Sequence, residues 1–453
     1  MQRVRPSDGP PEGTRGVRGA PRLGLLPLIA ACFFIVSGGP YGLEELVARS
    51  GYSRAIWILI LTPLVWSLPT AFAVVEMAAA LPERGGYYVW VRRALGPFWG
   101  FQEAWLSLAA SFFDMAIYPT LFLLYLERLV PLGSPASRVT VGVAFIAAGA
   151  FLNVAGARAI GRSSVLFALA VLGPFAILVG TAAAHPAVRP PPLIPGGLLA
   201  GVLVAMWNFM GWDNAANFAN EVDRPQRTYP RAIFATVALV TAGYLLPVLA
   251  ARRAGLDPSG WSAGSWVTVA RAVAGPWLGA AVVAGGMICA FGMYDSLVLS
   301  YSQLPVAMAE DGFLPAVFAR LHPRSGAPWV SIAVCALAYS ACLGLDFDGL
   351  LLLDILLYGC SLVLEFLALV ALRIREPGLA RPFRVPGGLA GAIAIGIPPT
   401  VLLGLALAAS LADAATSHGG LWVGFGLLAA GPILYALSAA RRASRATALP
   451  PRS

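Results

Sequence analysis

The chain has 453 residues, 58% hydrophobic and 12% charged, with a mean hydropathy of +0.76. A soluble protein of this length exposes far more charge, so the composition excludes a water-soluble globule and indicates an integral membrane protein of many spans. The net charge is +9 and every one of the 31 Lys and Arg positions is Arg. These lie in short segments between apolar runs, which fits orientation across a membrane better than nucleic-acid binding.

Residues 1–22, rich in Arg, Pro and Gly, read as a disordered cytoplasmic tail. The first apolar run continues for a whole span, so it is not a cleaved secretory signal. Span 1 is expected over 25–48 and contains FFIVSGGPYGLEELV at 33–47. Gly38, Gly39, Pro40 and Gly42 interrupt it, and Glu44 and Glu45 follow. Glycines would let a solute approach the backbone, and Pro40 removes a donor and stops the first half-helix. A simple kink is the alternative. Spans 2 and 3 are expected over 55–80 and 98–126, with Glu76 and Glu103 near their ends in structural or gating positions. Asp114 and Tyr118 in span 3 are one turn apart and share a face. Spans 4 and 5 follow at 139–157 and 163–184.

Span 6, 197–221, repeats the oddity of span 1. Its stretch WNFMGWDNAANFANE at 207–221 sets Gly211 and Asp213 inside an apolar run. A carboxylate there costs roughly 3 kcal/mol or more unless it has a function or a partner. Binding or proton coupling is one reading of Asp213, and a cap on the second half-helix is the other. Trp207 and Phe209 precede the break; an aromatic face can hold an ammonium, or can simply pack. Glu44 and Glu45 begin the second half of span 1, where they read as site carboxylates or vestibule charges. Spans 7 to 12 are expected over 231–251, 277–303, 328–346, 350–373, 389–412 and 421–440, before a second tail at 441–453. Asp295 and Ser296 in span 8 and Glu365 in span 10 are weaker site candidates.

Interrupted helices in spans 1 and 6, five spans apart, predict an inverted repeat of five-plus-five spans, with spans 11 and 12 outside it, in one transmembrane domain over 23–440. Unwound backbone at mid-membrane must face a cavity, because lipid cannot satisfy it. With an even span number, 23 Arg fall on the side of the termini and 8 on the other, which places both termini in the cytoplasm. Cys32, Cys289, Cys335, Cys342 and Cys360 read as small core residues, and His185, His322 and His418 form no cluster, so neither a metal nor another cofactor is expected. There is no G-x-x-x-x-G-K-[ST] loop to couple nucleotide hydrolysis. A receptor or assembly subunit would need a signalling domain or partner surface, and neither is visible. A membrane enzyme would need a metal cluster or a His base within the spans.

The stretches PERGGYYVWVRRALGPFWGFQEAW at 82–105, WNFMGWDNAANFANEVDRPQRTYPRAI at 207–233 and MAEDGFLP at 308–315 together resemble the amino acid–polyamine–organocation family of secondary transporters. SGGPYGLEELV at 37–47 and DMAIYPTLFL at 114–123 are most similar to the branch that includes plant and protozoan polyamine–proton symporters. Ser37-Gly38-Gly39-Pro40-Tyr41 departs from the family's usual Gly-Ser-Gly, and the chain lacks the span 5 Lys of some proton-coupled relatives. The resemblance implies an all-α, LeuT-like bundle of twelve helices working by alternating access in the plasma membrane. Together with the residue readings above, it points to a small-molecule substrate held at Ser37, Gly38, Gly39, Gly42, Glu44, Asp114, Tyr118, Trp207, Phe209, Gly211 and Asp213, with Trp207, by resemblance, as the aromatic gate. Asp213, Glu44 and Asp295 are the candidates for carrying a coupled proton. An acidic cavity without Arg or Lys favours a polyamine. An amino acid is the alternative, with the backbone N–H groups of Ser37–Gly39 holding its carboxylate.

Overall fold

A computed structural model describes residues 24–83, 85–155, 164–188, 197–214, 216, 225–345, 347–412 and 418–447. The first tail, Arg84, Arg158, Arg162, Arg189, Arg224 and Glu221 lie outside them, as does the stretch 217–221 expected to carry the second half of span 6.

Fifteen α-helices are described: α1 (Leu25–Val36), α2 (Glu44–Thr62), α3 (Leu68–Ala80), α4 (Gly86–Leu95), α5 (Pro97–Leu126), α6 (Pro135–Ala155), α7 (Ser164–Ala184), α8 (Leu198–Asn208), α9 (Pro225–Arg253), α10 (Trp266–Ala274), α11 (Pro276–Glu310), α12 (Trp329–Ala341), α13 (Phe347–Arg375), α14 (Gly388–Ala412) and α15 (His418–Thr447). Among the described residues nine helical segments are long and apolar enough to cross a membrane, and α1 and α12 are shorter apolar helices. Helix α5 packs against both α11 and α13, and these three are buried along most of their length. Helices α14 and α15 expose most of theirs, as lipid-facing helices do. The centre of the protein is therefore the α5–α11–α13 junction.

Two helices stop inside the bundle. Helix α1 ends at Val36 and α2 begins at Glu44, with 37–43 unwound between them. Helix α8 ends at Asn208, and an irregular turn follows. Gly38 sits at φ +62°, and a Cβ there would run into the sulfurs of Met293 and Cys289 on α11. Gly211 sits at φ +89° with the Ile35 carbonyl 3.3 Å from where a Cβ would stand. Both breaks thus need glycine for backbone hand and for close packing.

The loop expected at 49–54 is reduced to a break at Gly51 (φ 67°, ψ 163°), with helical turns on either side of it. The second segment of α2 reaches α3 by a π-helical turn at Pro63–Ser67. Glycine at positive φ with extended ψ interrupts the i to i−4 ladder, so the first two spans stay distinct there. Helix α15 also continues to Thr447, past the expected limit of span 12.

One joint occurs twice. Helix α4 closes on Gly96 (φ 99°, ψ 174°) and Pro97 opens α5; α10 closes on Gly275 (φ 90°, ψ 179°) and Pro276 opens α11. In each, the glycine N–H donates to an arginine carbonyl, Arg92 or Arg271, and that arginine's side chain packs over a glycine eight residues on, Gly100 or Gly279. Proline fits the first helical turn, where its missing N–H costs nothing, and glycine fits the positive φ before it.

Away from the centre, Arg373 on α13 holds the buried Glu76 of α3 in a bidentate pair, Nε at 2.9 Å and Nη2 at 2.5 Å, and Arg381 adds a contact at 3.3 Å. Asp311, just past α11, takes the Tyr88 hydroxyl and the Arg92 guanidinium of α4.

Candidate functional site

The two breaks meet around a small cavity lined by Ile35, Val36, Ser37, Asp114, Tyr118, Trp207, Asn208, Met210, Gly211, Asn214, Met293, Leu297 and Tyr301. It leaves about 20 Å³ for the centre of a water molecule, room for about one water. No lining residue is basic, and Asp114 is the lining carboxylate.

Asp114 projects from the middle of α5. Its Oδ1 accepts the Tyr118 hydroxyl one turn on at 2.9 Å and the Trp207 indole N–H at 3.4 Å; its Oδ2 accepts the Tyr301 hydroxyl of α11 at 3.2 Å. Three elements therefore converge on one carboxylate, and each supplies an aromatic donor. Such a group can take a cation while keeping its shape, because the donors fix its plane and leave its charge uncancelled. Trp207 also stands edge-on to Phe347 at the start of α13, ring centroids 5.9 Å apart.

Asp213 lies just past the α8 break, buried and one step behind the cavity wall. The Tyr358 hydroxyl of α13 donates to its Oδ1 at 2.5 Å and accepts the Gly211 N–H at 3.1 Å. A single hydroxyl therefore ties the unwound backbone to the acidic side chain. Beside it Asn214 accepts the Ser300 hydroxyl at 2.7 Å.

At the other break the amides are already used. The N–H groups of Ser37 and Gly38 both donate to the Phe33 carbonyl, at 2.8 and 3.2 Å, and Gly39 N–H donates to Ser37 Oγ at 3.1 Å. Glu44 occupies the N-terminus of α2: Oε2 accepts Gly42 N–H at 2.8 Å, and Oε1 accepts the Tyr125 hydroxyl at 2.8 Å and Gly264 N–H at 2.9 Å. The positive end of a half-helix favours an anion, and here the chain's own side chain provides it. Among the described residues no group of three or more His, Cys, Asp or Glu could hold a metal ion.

The profile of the amino acid permease family matches residues 29–436. The chain belongs to the amino acid permease family. The permease is 36% identical over 403 residues to polyamine transporter RMV1 of Arabidopsis thaliana, covering 87% of this chain and 82% of that one. It is 36% identical to polyamine transporter PUT1 of Oryza sativa subsp. japonica, covering 89% of this chain and 77% of that one. It is 27% identical to the serine/threonine exchanger SteT of Bacillus subtilis (strain 168), covering 75% of this chain and 80% of that one. The crystal structure of MhsT in complex with L-phenylalanine superposes at a TM-score of 0.58 with 14% identity, covering 86% of the permease and 99% of that chain, a likeness of fold alone.

Of the residues singled out in the permease's sequence, Ser37, Asp114, Tyr118, Trp207 and Gly211 line the cavity together. Gly38, Gly39, Gly42, Glu44, Phe209 and Asp213 do not line it. Gly38 is pressed against α11, Gly42 faces the Trp207 ring, and Phe209 packs edge-on to Tyr244. Asp295 turns to α6, where Asn153 donates to its Oδ1 at 2.9 Å. Glu45 pairs with Arg49, one turn on, at 2.6 Å. Sequence reasoning missed Tyr301, Tyr358 and Asn214. Tyr358 lies four residues after Asp354 and seven before Glu365, a helical stripe that was available in the sequence and was noticed only at Glu365.

Proposed function

We propose that this permease takes up polyamines or related cationic amines across the plasma membrane, together with a proton, by alternating access. The observation that carries the substrate class is the charge of the site: the cavity presents Asp114 and no basic residue. At the first break, the places that would receive a substrate carboxylate are filled, since the amides at 37–39 are bonded within the chain and Glu44 sits on the α2 N-terminus. The names of the Arabidopsis and Oryza relatives support the same class. The permease's cavity admits about one water, so an amine enters only when the helices around Trp207 and Tyr358 move.

In this reading Asp114, Tyr118, Trp207, Ser37 and Gly211 meet the amine, and Asp213, bridged to the break by Tyr358, carries the proton. Glu44 acts as the fixed anion of the first break. The bundle has twelve spans arranged as five-plus-five inverted repeats with both termini in the cytoplasm. The repeated Gly-Pro joint before α5 and before α11 supports the repeat, because the two helices hold equivalent third positions in the two halves. The Arg asymmetry supports the orientation.

The test is competition in proteoliposomes. Putrescine or spermidine should displace labelled substrate and leucine should not; competition by leucine alone would reject the reading in favour of an amino-acid permease. For coupling, Asp213→Asn should remove stimulation of uptake by an inward proton gradient while leaving amine exchange, and retained stimulation would free Asp213 of that role.

A further inference from the structure

Helix α13 carries a stripe whose first and third members are fixed by contacts. Phe347 stands against Trp207, and Tyr358 bonds Asp213 and Gly211. Asp354 is seven residues after Phe347 and four before Tyr358, so it lies within about 20° of the first and 40° of the second around the helix. It therefore faces the same junction, between two side chains that touch the site. It is 1% exposed, and among the described residues neither of its carboxylate oxygens has a hydrogen-bond partner. The charges that reach it are those of Asp114 and Asp213, both negative, and it is felt in turn by Tyr118 and Tyr301, the two hydroxyls that bond Asp114.

A buried carboxylate with no donor and two like charges near it stays charged only beside a cation; without one it takes up a proton. Asp114, by contrast, has three donors of its own and faces the cavity. We infer that Asp354 receives the second ammonium group of a diamine whose first ammonium is held at Asp114. This deepens the polyamine reading and rests on it. A monoamine of the same carbon length would engage Asp114 alone and leave Asp354 bare, so the carboxylate of α13 is what makes the site prefer two charges to one.

Putrescine and n-butylamine differ by one amine on the same carbon chain. In proteoliposomes containing the full-length protein, each is titrated as a competitor of labelled putrescine uptake. The wild type should favour putrescine by about tenfold or more, the worth of one charge-assisted contact. Asp354→Asn should bring putrescine down to the level of n-butylamine while moving n-butylamine less than about twofold, and the residual uptake shows that the variant is folded. Equal losses for the two amines, or no loss for either, would overturn the role of Asp354 and leave the polyamine reading standing. Failure of putrescine to compete in the wild type would sink both. Should Asp354→Asn not reach the membrane, Asp354→Glu is read instead. Its carboxylate is displaced by one methylene, and an unchanged putrescine-to-butylamine ratio rejects the proposal.

Discussion

Glu44→Gln separates two roles for the carboxylate at the first break. Its oxygens accept three donors: Gly42 N–H on Oε2, and Gly264 N–H and the Tyr125 hydroxyl on Oε1. An amide replaces one oxygen with a donor. The better orientation keeps the carbonyl on Tyr125 and Gly264 and turns the –NH2 toward Gly42 N–H, donor against donor. That loses one bond and strands a buried N–H, a cost of about 1–3 kcal/mol. Loss of the charge at the α2 N-terminus adds about 0.3–1 kcal/mol. Glu44→Ala strands all three donors, so the same range applied three times gives about 3–9 kcal/mol. Apparent thermal unfolding in detergent should therefore rank wild type above Gln and Gln above Ala. Labelled putrescine should bind the folded fraction of the Gln variant with wild-type affinity, because Glu44 does not line the cavity. A Gln variant that unfolds with the wild type but no longer binds the amine would refute this, and would put Glu44 in contact with the solute.

Asp114→Asn keeps the shape of the side chain and removes the cavity's charge; amine binding should weaken by about ten- to a hundred-fold, measured by displacement, and unchanged affinity would remove Asp114 from the site. Gly38→Ala places a Cβ against Met293 and Cys289 at a positive φ, so folded yield and uptake should both fall, by about 1–3 kcal/mol for the overpacking alone; normal yield would mean that α11 gives way. Glu76→Gln leaves the buried Arg373 guanidinium short of a charge partner and should destabilise by about 3–5 kcal/mol in thermal unfolding, less if Arg373 swings to solvent, while a wild-type midpoint would show the pair to be dispensable. A reporter fused after Ser453 should be cytoplasmic and a cysteine at position 189 should label only from outside; labelling from the cytoplasmic side would overturn the proposed orientation.

The breaks were legible because their cause is local. Glycine, proline and carboxylate inside an apolar run conflict with a continuous membrane helix, and the conflict is visible in 37–45 and 211–213 without any knowledge of neighbours. The boundary between the first two spans was legible in place but not in extent. Arg49, Gly51 and Arg54 have the composition of a loop, and the chain does break at Gly51, yet Arg49 pairs with Glu45 one turn back and with Asp348 of α13, so helical turns run up to the break from both sides. Tertiary pairing outweighs composition there. The short helices α4 and α10 were likewise read past, although the arginine, the Gly-Pro pair and the glycine eight residues after the arginine recur in both stretches.

The site divides along a different line. Asp114 and Tyr118 are neighbours by helical periodicity, so their bond was foreseeable. The partners that turn this pair into a site are Trp207 and Tyr301, 93 and 187 residues away from Asp114, and no local pattern fixes which of many buried aromatics would arrive. The same distance explains the reading of the glycines at the first break. From the sequence alone, a glycine beside a break means space for a solute; in the folded chain that space at Gly38 belongs to α11 and at Gly42 to the Trp207 ring. Of the residues expected at the two breaks, Ser37, Trp207 and Gly211 reach the cavity, and Tyr358 of α13 bonds the Gly211 amide and Asp213 at once. These bonds tie the second break to α5, α11 and α13: any solute that competes for Asp114 or Asp213 must also loosen the contacts of Trp207 or Tyr358, and so acts on the helices that would open the cavity.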